Sequence, residues 1–258
     1  MLSRRLPLEV DLVPYQASFP PGRRWLFLAP HADDEVMAAG ATLALARRRG
    51  VDVALVVVTD GGAQGDTAVR EGEALAAARE LGLETPVFWR LPDRSLHPRD
   101  GGLRARIGGV LEARVPDTVF VTSPVDLHPD HRALALALQG VLRRRTWLGV
   151  RRRAPEWVVA CEVGAPLLPN LLVAGDAAWG AKRRAGALYA SQLAFRPYLE
   201  VMEAFGTLRA LTLTGVAHAE GFHVSPSRSI ARLSARSWAS RMGSPRAVSR
   251  PGVPSREA

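Results

Sequence analysis

Two short segments concentrate side chains able to hold a metal and move a proton. The first is Pro30-His31-Ala32-Asp33-Asp34-Glu35, the second Asp126-Leu127-His128-Pro129-Asp130-His131. Three of the six histidines lie in them. His31 and Asp34 are three apart, as are His128 and His131, a spacing that shares one face of a first helical turn. Imidazole and carboxylate are suitable zinc ligands, and a catalytic zinc keeps three protein ligands with one position open. His31, Asp34 and His131 would fill that role, with Asp33 and His128 flanking the open position. The same donor set suits ferrous iron. Taken singly, each segment also reads as a helix start, since Asp is favoured at N-caps and Pro in first turns. Taken together the reading inverts, because adjacent acids and three histidines would be costly in an apolar core.

The surrounding elements can bring the two segments together. Apolar runs alternate with helical patterns, the signature of βα units around a mainly parallel sheet. Strands are expected at 25–29, 53–59, 87–91, 118–122 and 157–163, and helices at 36–49, 68–81, 103–113 and 128–145. Val53–Thr59 is apolar on both faces, as a buried parallel strand requires. Gly50 and Gly82 stand just past helix ends, where glycine is a common stop. Beyond the fifth strand, Pro166, Pro169 and Asn170 mark a loop, 179–189 and 197–208 read as helices, and 209–224 is mixed. The fold class is a Rossmann-like three-layer α/β/α arrangement. In such open sheets ligands bind at the carboxyl ends of the strands, and both segments follow strands.

The net charge of +9 is uneven. From Val224 onward there are seven arginines and one acid. That stretch is rich in Ser, Arg, Pro and Gly, and 225–258 is expected to be a flexible tail. Its only aromatic after Val224 is Trp238, so the basic charge does not point to nucleic acid. Residues 1–22 form an N-terminal extension without the apolar core of a signal peptide. Nothing is apolar enough for long enough to span a bilayer, and a cytoplasmic location is expected. A single cysteine, Cys161, excludes an internal disulfide or a cysteine-rich zinc site.

Other residues invite quieter readings. Arg70 and Glu73 suit a solvated helical pair, and Asp93 a turn after its strand. Glu35 suits a supporting or capping role. The loop Asp60–Gly65 lacks the Gly-Lys-Ser/Thr ending of a phosphate loop and reads as lining the site. His97 reads as a loop residue, while His218 or His223 could reach the site. Cys161 reads as a small hydrophobe within a strand.

His31-Ala32-Asp33-Asp34-Glu35 and His128-Pro129-Asp130-His131 resemble the motifs of the PIG-L/LmbE-like deacetylases. The resemblance runs from about Trp25 to Val224 and includes weaker signatures: Cys161-Glu162-Val163, Lys182, Ser191-Gln192 and Ala219-Glu220-Gly221-Phe222. Ala32 replaces the family's usual proline, and an aromatic common around Cys161 and Gly164 is missing. The resemblance implies a catalytic domain over 23–224. It implies that His31, Asp34 and His131 bind zinc, and that Asp33 is the general base for a metal-bound water. It implies that His128, oriented by Asp130, is protonated and stabilises the oxyanion, and that Arg70 and Asp93 hold sugar hydroxyls. The expected activity is deacetylation of an N-acetylglucosamine-type amino sugar, free or within a glycoconjugate. Rival readings are hydrolysis of another amide, an ester or a phosphoester, or sugar or nucleotide binding without turnover. A two-metal phosphatase would need more bridging carboxylates. Self-association is consistent with the resemblance, and the oligomeric state is otherwise open.

Overall fold

Branched apolar residues set the centre of the sheet. In the computed structural model, which describes residues 16–147 and 154–243, strand β3 (Asp52–Thr59) is buried from its second residue onward. Val53, Leu55 and Val57 pack on one side of the sheet, and Ala54, Val56 and Val58 on the other. This two-sided burial follows from the two-residue alternation of a strand between helical layers. The remaining strands are β1 (Gln16–Ala17), β2 (Arg24–Ala29), β4 (Val87–Leu91), β5 (Thr118–Thr122), β6 (Trp157–Cys161), β7 (Leu171–Ala174) and β8 (Ala219–Pro226). Their order across the sheet is β1-β7-β8-β6-β5-β2-β3-β4. All neighbouring pairs are parallel except those of β8, which runs antiparallel to β6 and β7.

The helices are α1 (Asp34–Arg48), α2 (Thr67–Glu80), α3 (Gly101–Arg114), α4 (Pro129–Trp147), α5 (Asp176–Ala187), α6 (Ala190–Leu193), α7 (Tyr198–Ala210), α8 (Ser227–Arg232) and α9 (Ala235–Ala239). Residues of α1, α2 and α5 cover one face of the sheet, and those of α3, α4, α8 and α9 the other. The three-layer α/β/α expectation holds. The strand after Pro169-Asn170 and the reversed β8 were not legible in the mixed pattern of that region.

The chain leaves β2 toward β3 and β4 on one side, and returns with β5 on the other. The crevice at the carboxyl ends of β2 and β5 is therefore the switch point where open α/β sheets bind ligands. His31–Glu35 follow β2 and Asp126–His131 follow β5, so the topology places both segments at one crevice.

Both proposed chain ends need correction within the described residues. Residues 225–243 are not a loose tail: they finish β8 and form α8 and α9. Ile230, Trp238, Ala239 and Met242 are buried there in the core on the sheet face covered by α3 and α4. Composition misled because the arginines fall between apolar anchors at helical spacing. The rest of the expected tail, 244–258, lies outside the described residues. Likewise residues 16–22 belong to the domain, since β1 pairs with β7 and Phe19 packs on Trp25 at 5.4 Å between ring centroids. Residues 1–15 lie outside the description.

Helix α1 is interrupted at Ala39, whose φ of −148° is not helical. The break frees N–H groups that would otherwise bond four residues back. Glu220 from β8 takes two of them, accepting from Ala41 N at 3.0 Å and Thr42 N at 2.7 Å. Lys182 from α5 donates to the freed Met37 carbonyl at 2.9 Å and to Glu220 Oε1 at 2.6 Å. Lys182 is the only lysine in the chain. A flexible stem with a compact ammonium fits this buried junction, where a planar guanidinium would need more room. Gly40 makes that room: a Cβ there would sit 2.9 Å from Lys182 Cγ.

Candidate metal centre

The ligand atoms of the three expected metal residues converge. His31 Nδ1 lies 3.3 Å from His131 Nε2, His131 Nε2 lies 3.2 Å from Asp34 Oδ1, and Asp34 Oδ2 lies 3.3 Å from His31 Nδ1. Zinc–ligand bonds near 2.0–2.1 Å in a tetrahedron imply ligand–ligand separations of about 3.3–3.4 Å. The residues fit a small divalent ion. All three are buried, with Asp34 also accepting from His31 N at 2.8 Å.

A ring of carboxylates stands behind the ligands. His31 Nε2 faces Asp93 Oδ1 at 3.0 Å and Asp130 Oδ2 at 3.3 Å. His131 Nδ1 faces Asp126 Oδ1 at 3.2 Å, an ion-pair distance without the alignment of a full hydrogen bond. Such outer carboxylates fix imidazole orientation and raise ligand basicity. Burial disfavours the charged form of His131, but Asp34 and Asp126 outweigh it and lift the imidazole to about 10. His31 is raised in the same way, against burial, by Asp130, Asp34 and Asp93. Asp34 is held well below the carboxylate range, because the charge and hydrogen bonds of the two imidazoles overcome its burial.

Asp33 lines the same cavity with a different balance. Burial and the neighbouring Asp34 charge raise its carboxyl to about 8, against the opposing pull of Arg70, whose Nη2 is 3.7 Å from Asp33 Oδ2. Its φ of 115° is rare for a residue with a side chain. Strain of this kind persists where the surroundings enforce it and clusters at functional sites. Glu35 Oε2 accepts from Asp33 N at 3.3 Å, and Tyr189 OH donates to Glu35 Oε1. Asp33 makes no side-chain cap to α1, so helix capping does not explain it.

His128 lines the cavity half-buried, its ring 4.6 Å from that of His31 between centroids. The Asp130 carboxylate does not orient it. That carboxylate faces His31 and accepts from Arg94 N at 2.7 Å and Leu96 N at 3.1 Å. Asp130 reaches His128 through its backbone, whose N–H donates to His128 Nδ1 at 3.2 Å. Burial and the two neighbouring imidazoles lower the His128 pKa. An accepting Nδ1 leaves Nε2 as the protonated nitrogen of a neutral ring.

Arg70 and Asp93 also line the cavity, but their polar atoms are largely committed. Arg70 donates to Ala32 O at 2.7 Å and Gly61 O at 3.2 Å. Asp93 accepts from Ala63 N at 3.3 Å as well as facing His31, which holds its carboxyl at about 2 despite burial. The glycine-rich loop supports these two residues rather than lining the cavity. His218 and His223 are elsewhere: the first stacks on Trp179 at 4.6 Å, the second faces Leu168 O at 3.0 Å. Asp126 had no assigned role in the sequence reading. It also accepts from His128 N and Gly164 N, each at 2.9 Å. A Cβ at Gly164 would come within 2.9 Å of Asp126 Oδ1, so glycine there protects the carboxylate behind His131. Its only sequence signal was its place at the head of the second motif.

Fold and site together define an α/β protein with a His/Asp/His centre at the switch point of its sheet. Residues 26–141, which contain every candidate site residue, match the model of the family PIG-L, GlcNAc-PI de-N-acetylase. Solved structures share the fold. The N,N'-diacetylchitobiose deacetylase from Pyrococcus horikoshii is 22% identical, over 80% of this chain and 85% of its own, with a TM-score of 0.68. The conserved protein TT1542 from Thermus thermophilus is 28% identical, over 77% and 93%, with a TM-score of 0.68. GalB, the 4-carboxy-2-hydroxymuconate hydratase from Pseudomonas putida, is 23% identical, over 78% and 95%, with a TM-score of 0.65.

Proposed function

We propose that this chain is a metal-dependent deacetylase of an N-acetylated amino sugar. The observation that carries the reading is the triangle of His31, Asp34 and His131 ligand atoms with the strained Asp33 carboxylate in the same cavity. The match of residues 26–141 to the GlcNAc-PI de-N-acetylase family and a diacetylchitobiose deacetylase of the same fold support the choice of an acetamido bond. His31, Asp34 and His131 would hold the ion, zinc or ferrous iron. When bound, a divalent ion polarises a carbonyl and lowers the pKa of water to about 7.

The chain's own residues supply the rest. Nearby positive charge favours the ionised carboxylate, so Asp33 is a base in the loaded protein and an acid once it has taken a proton. Asp33 Oδ takes the proton of the attacking water and returns it to the departing amine. A group so poised contributes about 10²–10⁴-fold. His128 donates Nε2–H to the developing oxyanion as a neutral imidazole, held by the Asp130 N–H. Arg70 fixes the Ala32–Asp33 turn, and Asp93 with Asp130 fixes His31. Sugar contact by Arg70 or Asp93 would replace one of these bonds.

No helix among the described residues is long and apolar enough to cross a membrane, and we place the enzyme in the cytoplasm. The test is amine release from N-acetylglucosamine and its glycosides by protein stripped of metal and reloaded with zinc. Zinc-restored release supports the reading. Metal binding without release from any acetamido sugar would favour another amide or ester bond.

A further inference from the structure

We infer that the substrate carries an anionic oxyacid group, phosphate or carboxylate, next to the amino sugar, and that Arg94 and Arg196 receive it. The inference rests on reading this cavity as a sugar site. The cavity is about 430 Å³, within the usual range of ligand pockets. Three guanidiniums line it. Arg70 is buried and tied to backbone carbonyls. Arg94 and Arg196 are exposed and, among the described residues, their side chains make no hydrogen bond or ion pair.

Different elements deliver these two cations. Arg94 follows β4 and has the left-handed φ of 58°, which is uncommon for a residue with a side chain. The strain is enforced at the metal centre itself, because Arg94 N donates to the Asp130 carboxylate that faces His31. Arg196 arrives between α6 and α7, immediately before Pro197, whose ring restricts the preceding backbone. It also borders an adjoining cavity of about 400 Å³ that includes Phe195 and Leu199. A substituent running past Arg196 therefore has space beyond it.

Charge argues the same way. The four lining carboxylates, Asp33, Asp34, Asp93 and Asp126, face three guanidiniums. A bound dication makes the lining net positive, which favours an anion. Guanidinium matches phosphate and carboxylate alike through paired N–H groups.

The test compares four probes on the zinc-reloaded protein: N-acetylglucosamine 1-phosphate, its 6-phosphate, N-acetylmuramic acid, and neutral methyl N-acetylglucosaminide. Binding is read by calorimetry and turnover by amine release, for wild type and for Arg94→Gln, Arg196→Gln and the double variant. At least one anionic probe is expected to bind about ten- to a hundredfold more tightly than the neutral one. That ratio should collapse toward one in the double variant, and the favoured probe identifies the group. A ratio near one in wild type, or a preference that survives the double variant, overturns the inference. An arginine-dependent preference without amine release from any probe leaves the inference standing and removes the deacetylase reading. No binding of any sugar removes both.

Discussion

Asp33 and Asp34 are neighbours of the same type in opposite electrostatic states. Asp34 is stabilised as an anion by two imidazoles, while burial and Asp34 itself push Asp33 up to about 8. Such a split is what the proposed roles of Asp34 as ligand and Asp33 as base require. Asp33→Ala should lower amine release by about 10²–10⁴-fold while metal content, read by elemental analysis, stays at wild-type level. The same groups set a pH dependence for the metal-free protein. Asp33, raised from 3.8 to about 8, and Glu35, raised from 4.5 to about 7, bind more protons folded than unfolded across those intervals. Stability therefore falls as pH rises through them. His131 acts in the same direction: its contribution is complete below 6.5 and is lost as pH rises through about 10. Asp34, depressed, contributes the opposite slope only in acid, below 3.8. The Tm of metal-free protein should therefore fall between about pH 5 and pH 9. Apparent zinc affinity should rise over that range, since zinc displaces the imidazole protons. A flat or rising Tm would contradict this balance. The grouping of His31 with Asp34, and of His131 with His128, was legible because their spacing is local. Asp126 behind His131 and the turn of Asp130 toward His31 were not, because chain adjacency says nothing about which ring a carboxylate faces.

At the scale of elements, the first turns of α1 carry the site and the rest of α1 carries the core, with the break at Ala39 between them. Glu220 and Lys182, from distant parts of the chain, close that break. Each is almost fully buried, and removing one member of a buried pair leaves an uncompensated charge. Glu220→Ala should destabilise the protein by about 3–5 kcal/mol in urea unfolding, and adding Lys182→Met should recover a substantial part. An unchanged midpoint would show that the junction does not hold the helix. The strands and helices from β2 to β6 were readable from periodicity, since each carries a hydrophobic pattern of strand or helix period, whereas the two-residue β1 is too short to show one. Lys182 and Glu220 stood out only as family signatures. Their physical role depends on a helix interruption at Ala39 that only the adjacent Gly40 marks in the sequence, and a single glycine inside a helical pattern does not by itself announce a break.

For the molecule as a whole, residues 225–243 of the arginine-rich segment close the core on the sheet face covered by α3 and α4 instead of trailing from it. Trp238 is fully buried there, and Trp238→Ala should cost about 3–5 kcal/mol, measured as a shift in unfolding midpoint at constant slope. A near-zero cost would return 225–243 to the flexible reading. The global fold, legible from alternating βα patterns, does not by itself choose the reaction. A hydratase and a deacetylase share it, so function has to be argued from the site. The most direct test is therefore metal titration of chelator-stripped protein, comparing wild type with His131→Ala and following amine release in the same samples. Wild type should bind one zinc per chain and release amine in proportion to occupancy, and the variant should lose both. A wild type that binds no metal, or a variant that binds and turns over as wild type does, would contradict this.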